Sequence, residues 1–397
     1  MFDKICIKNK ESDSYKLDVG FVIDTMLFYG KVVLLIHKEE LIILLKFLGE
    51  DLLRELIKTG RLELRFRENI IGSMIFPNGR YNIDTFSSPD VTIDSILYQS
   101  HREIINNSSK NQKFTNEFSG IIEPYSYPAS VRESIISDFS NEHLLKRALP
   151  VYINSIVPEF ILPEKIEIEI IKEAGFGPYD AYSLESNIDL DELNRVHKES
   201  RPEIDYDIDY SGFLLSVGES KGDIHIASEL ESEIVTSELY SKFIALEVED
   251  LIKQRTKSED ELKLFATYVL EGCTSLGLAY MNGIISGKDL LKILDKSDKF
   301  RDWLKNISED KNLLGEYYKA VMKEDFSDKL PTKTARFVIF EGIGIALDLL
   351  GAGGIGTVTA TATGLAAADN FLLDKIINRG WKPNQFIDKS LKPKIKI

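Results

Sequence analysis

Proline placement constrains this chain more than any other feature of it. Residues 203–330 contain none, whereas nine of the twelve prolines lie at or before Pro202 and the others are Pro331, Pro383 and Pro393. Proline cannot continue a helix interior, so so long a proline-free stretch, rich in Leu, Glu, Lys and Ala, predicts a helical region. Helices are expected near 227–255, 259–282, 287–305 and 312–324.

The preceding part reads differently. Lys31–Ile36 is a short apolar run suited to a buried strand. The helical segments Lys38–Leu48 and Asp51–Ile57 follow, separated by Gly49 and closed by Gly60. Arg61–Arg67 and Lys165–Ile171 alternate apolar with charged residues, the pattern of a half-buried strand. Asn106–Gln112 reads as a loop. Residues 185–209 carry nine Asp/Glu against Arg195, Lys198 and Arg201, and read as a solvated linker or rim. The expected architecture is α+β. A mixed α+β domain covers 1–180 and an acidic linker or rim covers 181–210. A mainly helical domain covers 211–330, and a Gly/Ala-rich helical hairpin with a basic tail covers 331–397.

With 43% hydrophobic and 28% charged residues, the chain can build sizeable cores, which excludes wholesale disorder. Its two cysteines, Cys6 and Cys273, supply neither a disulfide framework nor a Cys-based zinc site, and fit a reducing cytoplasm. Met1–Lys4 opens with no basic region leading into a cleavable apolar run, so no signal peptide is expected. The formal charge of −15 opposes broad, phosphate-driven nucleic-acid binding by the acidic body. That charge is uneven. Residues 371–397 hold seven Lys/Arg and two Asp, a net +5, so the first 370 residues carry −15 − 5 = −20.

The C-terminal part predicts two helices, Thr334–Leu350 and about Gly356–Asn378, broken at Gly351–Gly354. Gly356, Ala360, Gly364 and Ala368 recur every four residues, a spacing that lets two helix backbones approach closely. Residues 349–368 are twenty consecutive uncharged residues, long enough to span a bilayer. They are weakly apolar and interrupted by glycines, so a buried helical hairpin is expected, with membrane contact through the hairpin and basic tail as the alternative. Trp381 and Phe386 are expected to fold back onto that hairpin, or else to serve as a docking element for a partner.

Several patterns match chemical motifs. Gly351–Gly356 satisfies GxGxxG, but Asp374, at the spacing of the ribose-binding acid, sits inside the apolar run Phe371–Ile377, so a helix–helix corner is expected. Gly218–Gly222 satisfies G-x-S-x-G, but of the five histidines only His225 follows it, too close for a separate catalytic loop. Asp205, Asp207 and Asp209 begin like a calcium-binding loop that then lacks its glycine at Tyr210 and its glutamate at Ser216. Asp209, the apolar Phe213–Val217, then Glu219 and Lys221 resemble the D…ExK arrangement of restriction-type nucleases. That resemblance implies Asp209 and Glu219 as metal ligands, with Lys221 orienting the attacking water. Val22–Thr25 resembles the first strand of PIN-type nucleases, but Asp24 is a single acid without assignable partners.

No catalytic constellation survives these checks. The expected function is that of a non-catalytic or regulatory cytoplasmic protein acting through protein–protein assembly, with a protein partner or self-association and no cofactor. Two alternatives stay open: a membrane-disrupting effector of toxin or defence type using residues 335–378, and a metal-dependent nuclease using Asp209, Glu219 and Lys221 with a divalent metal.

Overall fold

The computed structural model describes residues 3–8, 17–76, 79–87, 92–174, 180–203, 206–247, 256–258, 275–305, 386 and 390–395. The protein is a mixed α+β structure built on two sheets. The larger is six-stranded and parallel: β1 (Lys4–Lys8), β2 (Lys31–Ile36), β3 (Leu62–Arg67), β6 (Glu123–Tyr125), β9 (Glu233–Thr236) and β10 (Thr256–Ser258), in the order β10-β9-β1-β2-β3-β6. Parallel strands are normally covered on both faces, and the register shows it. Cys6 pairs with Val33 and Ile234, and all three face one core. Their neighbours Ile5, Val32 and Val235 face the other.

The chain winds in two directions. After β1 it adds β2, β3 and β6 on one side, and later β9 and β10 on the opposite side of β1. A right-handed crossover puts its helix on one face when the sheet grows one way and on the other face when growth reverses. Accordingly α1 (Val19–Phe28) and α2 (Lys38–Lys58) bury apolar residues in the first core, while α8 (Tyr210–Glu229) and α9 (Glu238–Glu247) bury theirs in the second. α3 (Ile93–Arg102) and α4 (Ser108–Phe118) join the first core, and α5 (Ala129–Phe139) and α6 (Glu142–Ile156) the second.

The second sheet is antiparallel, in the order β4-β5-β8-β7. It comprises β4 (Asn69–Phe76), β5 (Arg80–Ser87), β7 (Ile168–Ala174) and β8 (Asp180–Ser186). Ile71, Tyr81, Ile83, Tyr182 and Leu184 bury one side of it in the second core. α7 (Leu190–Ser200) follows β8.

Several expectations are met at residue level. β2 covers Lys31–Ile36, and α2 kinks at Gly49, whose φ of 72° suits glycine alone. Others are corrected. The helix expected over 227–255 is instead the end of α8, the strand β9 and then α9, because Glu233–Thr236 is drawn into the parallel sheet between β1 and β10. Asn107 starts a helix rather than sitting in a loop: its side chain caps α4 by accepting from Lys110 N. The solvated linker or rim expected at 185–209 is not overturned but gains an element, α7, with Arg195 clamped between Glu192 and Glu199 and with Asp189 as N-cap. Asp24, set on a strand by the PIN-type resemblance and otherwise expected at a helix or strand end, lies within the helix α1 and accepts from Gly277 N at 2.8 Å.

Three further helices, α10 (Leu276–Met281), α11 (Gly287–Lys296) and α12 (Asp298–Lys305), return to the first core, as does the short C-terminal α13 (Lys392–Ile395). α10 crosses α1 at Gly20 and Gly277, where the Gly20 carbonyl leaves no room for a Cβ at Gly277. Phe386 is buried and stacks on Phe300 of α12 at 5.7 Å, and Lys394 pairs with Asp289 of α11 at 3.0 Å. Part of the basic tail thus meets an acid of its own body, Asp289 of α11. Gly356, Ala360, Gly364, Ala368 and Trp381, with the whole 335–378 hairpin, lie outside the described residues. No described helix is long and apolar enough to cross a membrane.

Candidate functional site

In open α/β sheets, ligands collect outside the carboxyl ends of the strands where the winding reverses. Here that point lies between β1 and β9. Lys8 ends β1 and Thr236 ends β9. Strand alternation puts Lys8 on the same face as Cys6, which is the face that α8 covers. α8 presents Glu219 and Asp223, one turn apart, to that strand end.

The Lys8 Nζ lies 2.5 Å from Glu219 Oε2 and 2.5 Å from Asp223 Oδ1, and the Thr236 hydroxyl donates to Asp223 Oδ2. The three charged side chains are nearly dry, at 7%, 12% and 0% exposure. Burial disfavours every charge in such a cluster, and opposite charges restore it. Burial works against the Lys8 ammonium, but Asp223 and then Glu219 outweigh it and hold Lys8 protonated well above its ordinary range. Burial pushes the Asp223 carboxyl up, Lys8 pulls it back, and Glu219 raises it again.

The surrounding acids are kept in their neutral forms. Burial, then Asp223, pushes the Cys6 thiol up. Burial pushes the Tyr127 and Tyr240 phenols up, and Glu219 and Asp223 add to it. Tyr125 is raised by burial and by Tyr127, and its buried hydroxyl has no hydrogen-bond partner among the described residues. An ammonium held protonated is no nucleophile, and a neutral buried thiol is inert. The cluster therefore pins α8 to the strand ends, with its ammonium, thiol and phenols held in their protonated forms.

The D…ExK residues do not converge, because Asp209–Lys221 is a helix start and not a strand. Asp209 is the N-cap of α8 and accepts from Ser211 N at 2.8 Å. Glu219 lies ten residues on, about 15 Å along the axis, and turns to Lys8. Lys221 lies about 200° around the helix from Glu219 and pairs with Asp138 of α5 at 3.0 Å. A strand would have put Glu219 and Lys221 on one face; a helix separates them. Among the described residues, no three His, Cys, Asp or Glu side chains are grouped so as to hold a metal ion.

The G-x-S-x-G match also resolves into packing. Ser220 is buried and donates to the Val217 carbonyl. A Cβ at Gly218 would sit 2.9 Å from Ile83 Cγ2, and one at Gly222 would sit 2.5 Å from Ile71 Cδ1. The glycines let α8 lie directly on β4 and β5. One helix thus joins the strand-end cluster to the second sheet. Sequence reading picked out Glu219 but missed Lys8, Asp223 and Thr236. Asp223 at four residues from Glu219 was the one local signal, and Lys8 and Thr236 join only through the sheet.

The second sheet ends in two unlike edges. β7 carries Glu169, Lys172 and Glu173, charges that discourage another strand. β4 reads NIIGSMIF, with neither a charge nor a proline. The Asn69 side chain is bound to the backbone of Tyr127, through Tyr127 N at 2.7 Å and Tyr127 O at 3.2 Å. Beyond it, among the described residues, Ile70–Phe76 has strand pairing only to β5. Ile75 is 62% exposed. No family model matches the chain, and no curated protein or solved structure matches it significantly.

Proposed function

We propose that this is a non-catalytic, regulatory protein that works by protein–protein assembly, and that its contact is strand addition at β4. The observation that carries the reading is the uncharged, proline-free β4 edge, which beyond Asn69 pairs only with β5 among the described residues, on a sheet whose opposite edge is charged. An open edge offers a row of backbone donors and acceptors to any extended segment, and its side chains supply selectivity. The strand-end cluster fits that reading as a structural pin, since Lys8 ties Glu219 and Asp223 of α8 to the end of β1.

The test is binding of a fluorescent peptide with the sequence of residues 69–76 to the whole protein, read by anisotropy. The expected result is saturable binding to the wild type and at least tenfold weaker binding to Ile75→Lys, with circular dichroism unchanged. Equal binding to both proteins, or none to the wild type, would remove β4 as the contact.

A further inference from the structure

We infer that the strand added at β4 is the β4 of a second copy of this chain, forming an antiparallel pair about a two-fold axis at Ser73. The inference rests on the assembly reading above and names its partner. A two-fold pair requires each residue to suit the one opposite it, so the strand must be self-complementary. Centred on Ser73, antiparallel pairing sets Ile71 opposite Ile75, Ile70 opposite Phe76 and Gly72 opposite Met74, each pair occurring twice.

This pattern fits on both faces. Directly opposed residues share a face of the sheet. The strand of the second copy would therefore cover the exposed Ile75, setting it in line with Ile71 on the face that packs on the second core. On the other face, an aromatic residue meets a β-branched one, a favoured cross-strand pair, and the long Met74 meets a glycine. With the axis one residue away, at Met74, the pairing shifts by two residues, setting Ile75 opposite Ser73 and losing these matches. No charge is buried, since Asn69–Phe76 contains none, so the chain's overall charge of −15 does not oppose the contact at its centre. The charged β7 edge keeps the assembly closed. Two four-stranded sheets join into one of eight strands and stop there, where two open edges would have given a fibre.

The test combines sedimentation with cross-linking in the full chain, with Cys273→Ser so that the buried Cys6 is the one native cysteine left. Wild type is expected to sediment as a concentration-dependent dimer, and both Ile75→Lys and Ser73→Lys as monomers with unchanged circular dichroism. Mild oxidation is expected to link Ser73→Cys copies through the residue on the axis, and to leave Phe76→Cys copies unlinked. A wild type that stays monomeric at about 100 μM, well above the micromolar range of modest interfaces, overturns the inference. So does equal cross-linking at the two positions. If that monomer still binds the 69–76 peptide, self-pairing falls while strand addition stands. If it binds neither itself nor the peptide, both fall.

Discussion

At the scale of single residues, the buried charges set the strongest constraints. Lys8 holds two carboxylates in a space with almost no water. Removing one partner of a buried ion pair leaves an uncompensated charge and costs about 3–5 kcal/mol. Lys8→Met should therefore lose stability of that order at pH 7.5 in urea unfolding. Its loss should shrink toward pH 5, because Asp223, already raised by burial, takes up a proton more easily without Lys8. Lys8→Met combined with Asp223→Asn should recover part of the loss at pH 7.5. A loss independent of pH would show that packing, and not charge, dominates at Lys8.

Asp24 behaves in the opposite sense to a salt-bridged acid. Burial raises its carboxyl to about 6, against the opposing hydrogen bonds from Gly277 and Ser275. A raised folded pKa means that the native state binds the proton more tightly than the unfolded chain does. The group therefore favours the native state at low pH, and that contribution is lost as pH rises through about 6. Asp24→Asn keeps an acceptor for Gly277 N and should stabilise the protein above pH 7 by up to about 3 kcal/mol, at 1.36 kcal/mol per pKa unit. Below pH 4 it should change little. Thermal unfolding of the two proteins at pH 4 and pH 8 checks this; parallel curves at both pH values would show that Asp24 does not carry the titration.

At the scale of elements, what was legible follows from local causes. β2, α2 and β3 were visible because apolar periodicity and Gly49 act within a few residues. The alternating Glu63 and Arg65 of β3 are half-buried and pair with Lys31 and Glu123, just as a charged face at a sheet margin should. α8 and β9 were misread for the converse reason. Residues 227–236 have no proline and no punctuation, and a four-residue strand is too short to show a period. The helix was likewise hidden at its start, where Asp209 reads as one member of an acidic run but acts as a cap. Once α8 is a helix, one shift in backbone period scatters the Asp209, Glu219 and Lys221 set and produces the Lys8 cluster instead. β4 was passed over because its run of apolar residues around Gly72 and Ser73 matches neither a clean alternation nor a helical stripe. Its importance comes from lying at the edge of a sheet, a property that no local pattern encodes.

At the scale of the whole molecule, the first core is closed by the chain's far end. Phe386, Leu391 and Ile395 are each at most 4% exposed and pack against residues more than 80 positions earlier, Phe300 among them. Burying such side chains is worth about 1.5–3 kcal/mol each as an upper estimate. Deleting 386–397 should therefore lower stability by several kcal/mol and open the first core before the second. Hydrogen exchange is expected to show lost protection in α11 and α12 while β4, β5 and α8 keep theirs. Uniform loss across both cores would mean that the two unfold as one unit.

Local pattern along the chain makes it mixed α+β, supplies enough apolar material for large cores and places β2, α2 and β3. These properties arise from neighbours within a turn or two of the backbone. Long-range packing is what joins β9 to β1, brings Lys8 to Glu219 and Asp223 across more than 200 positions, and puts β4 at a sheet edge among the described residues. Those contacts depend on the direction in which the sheet winds, and winding is a property of how crossovers pack together rather than of any short stretch of residues.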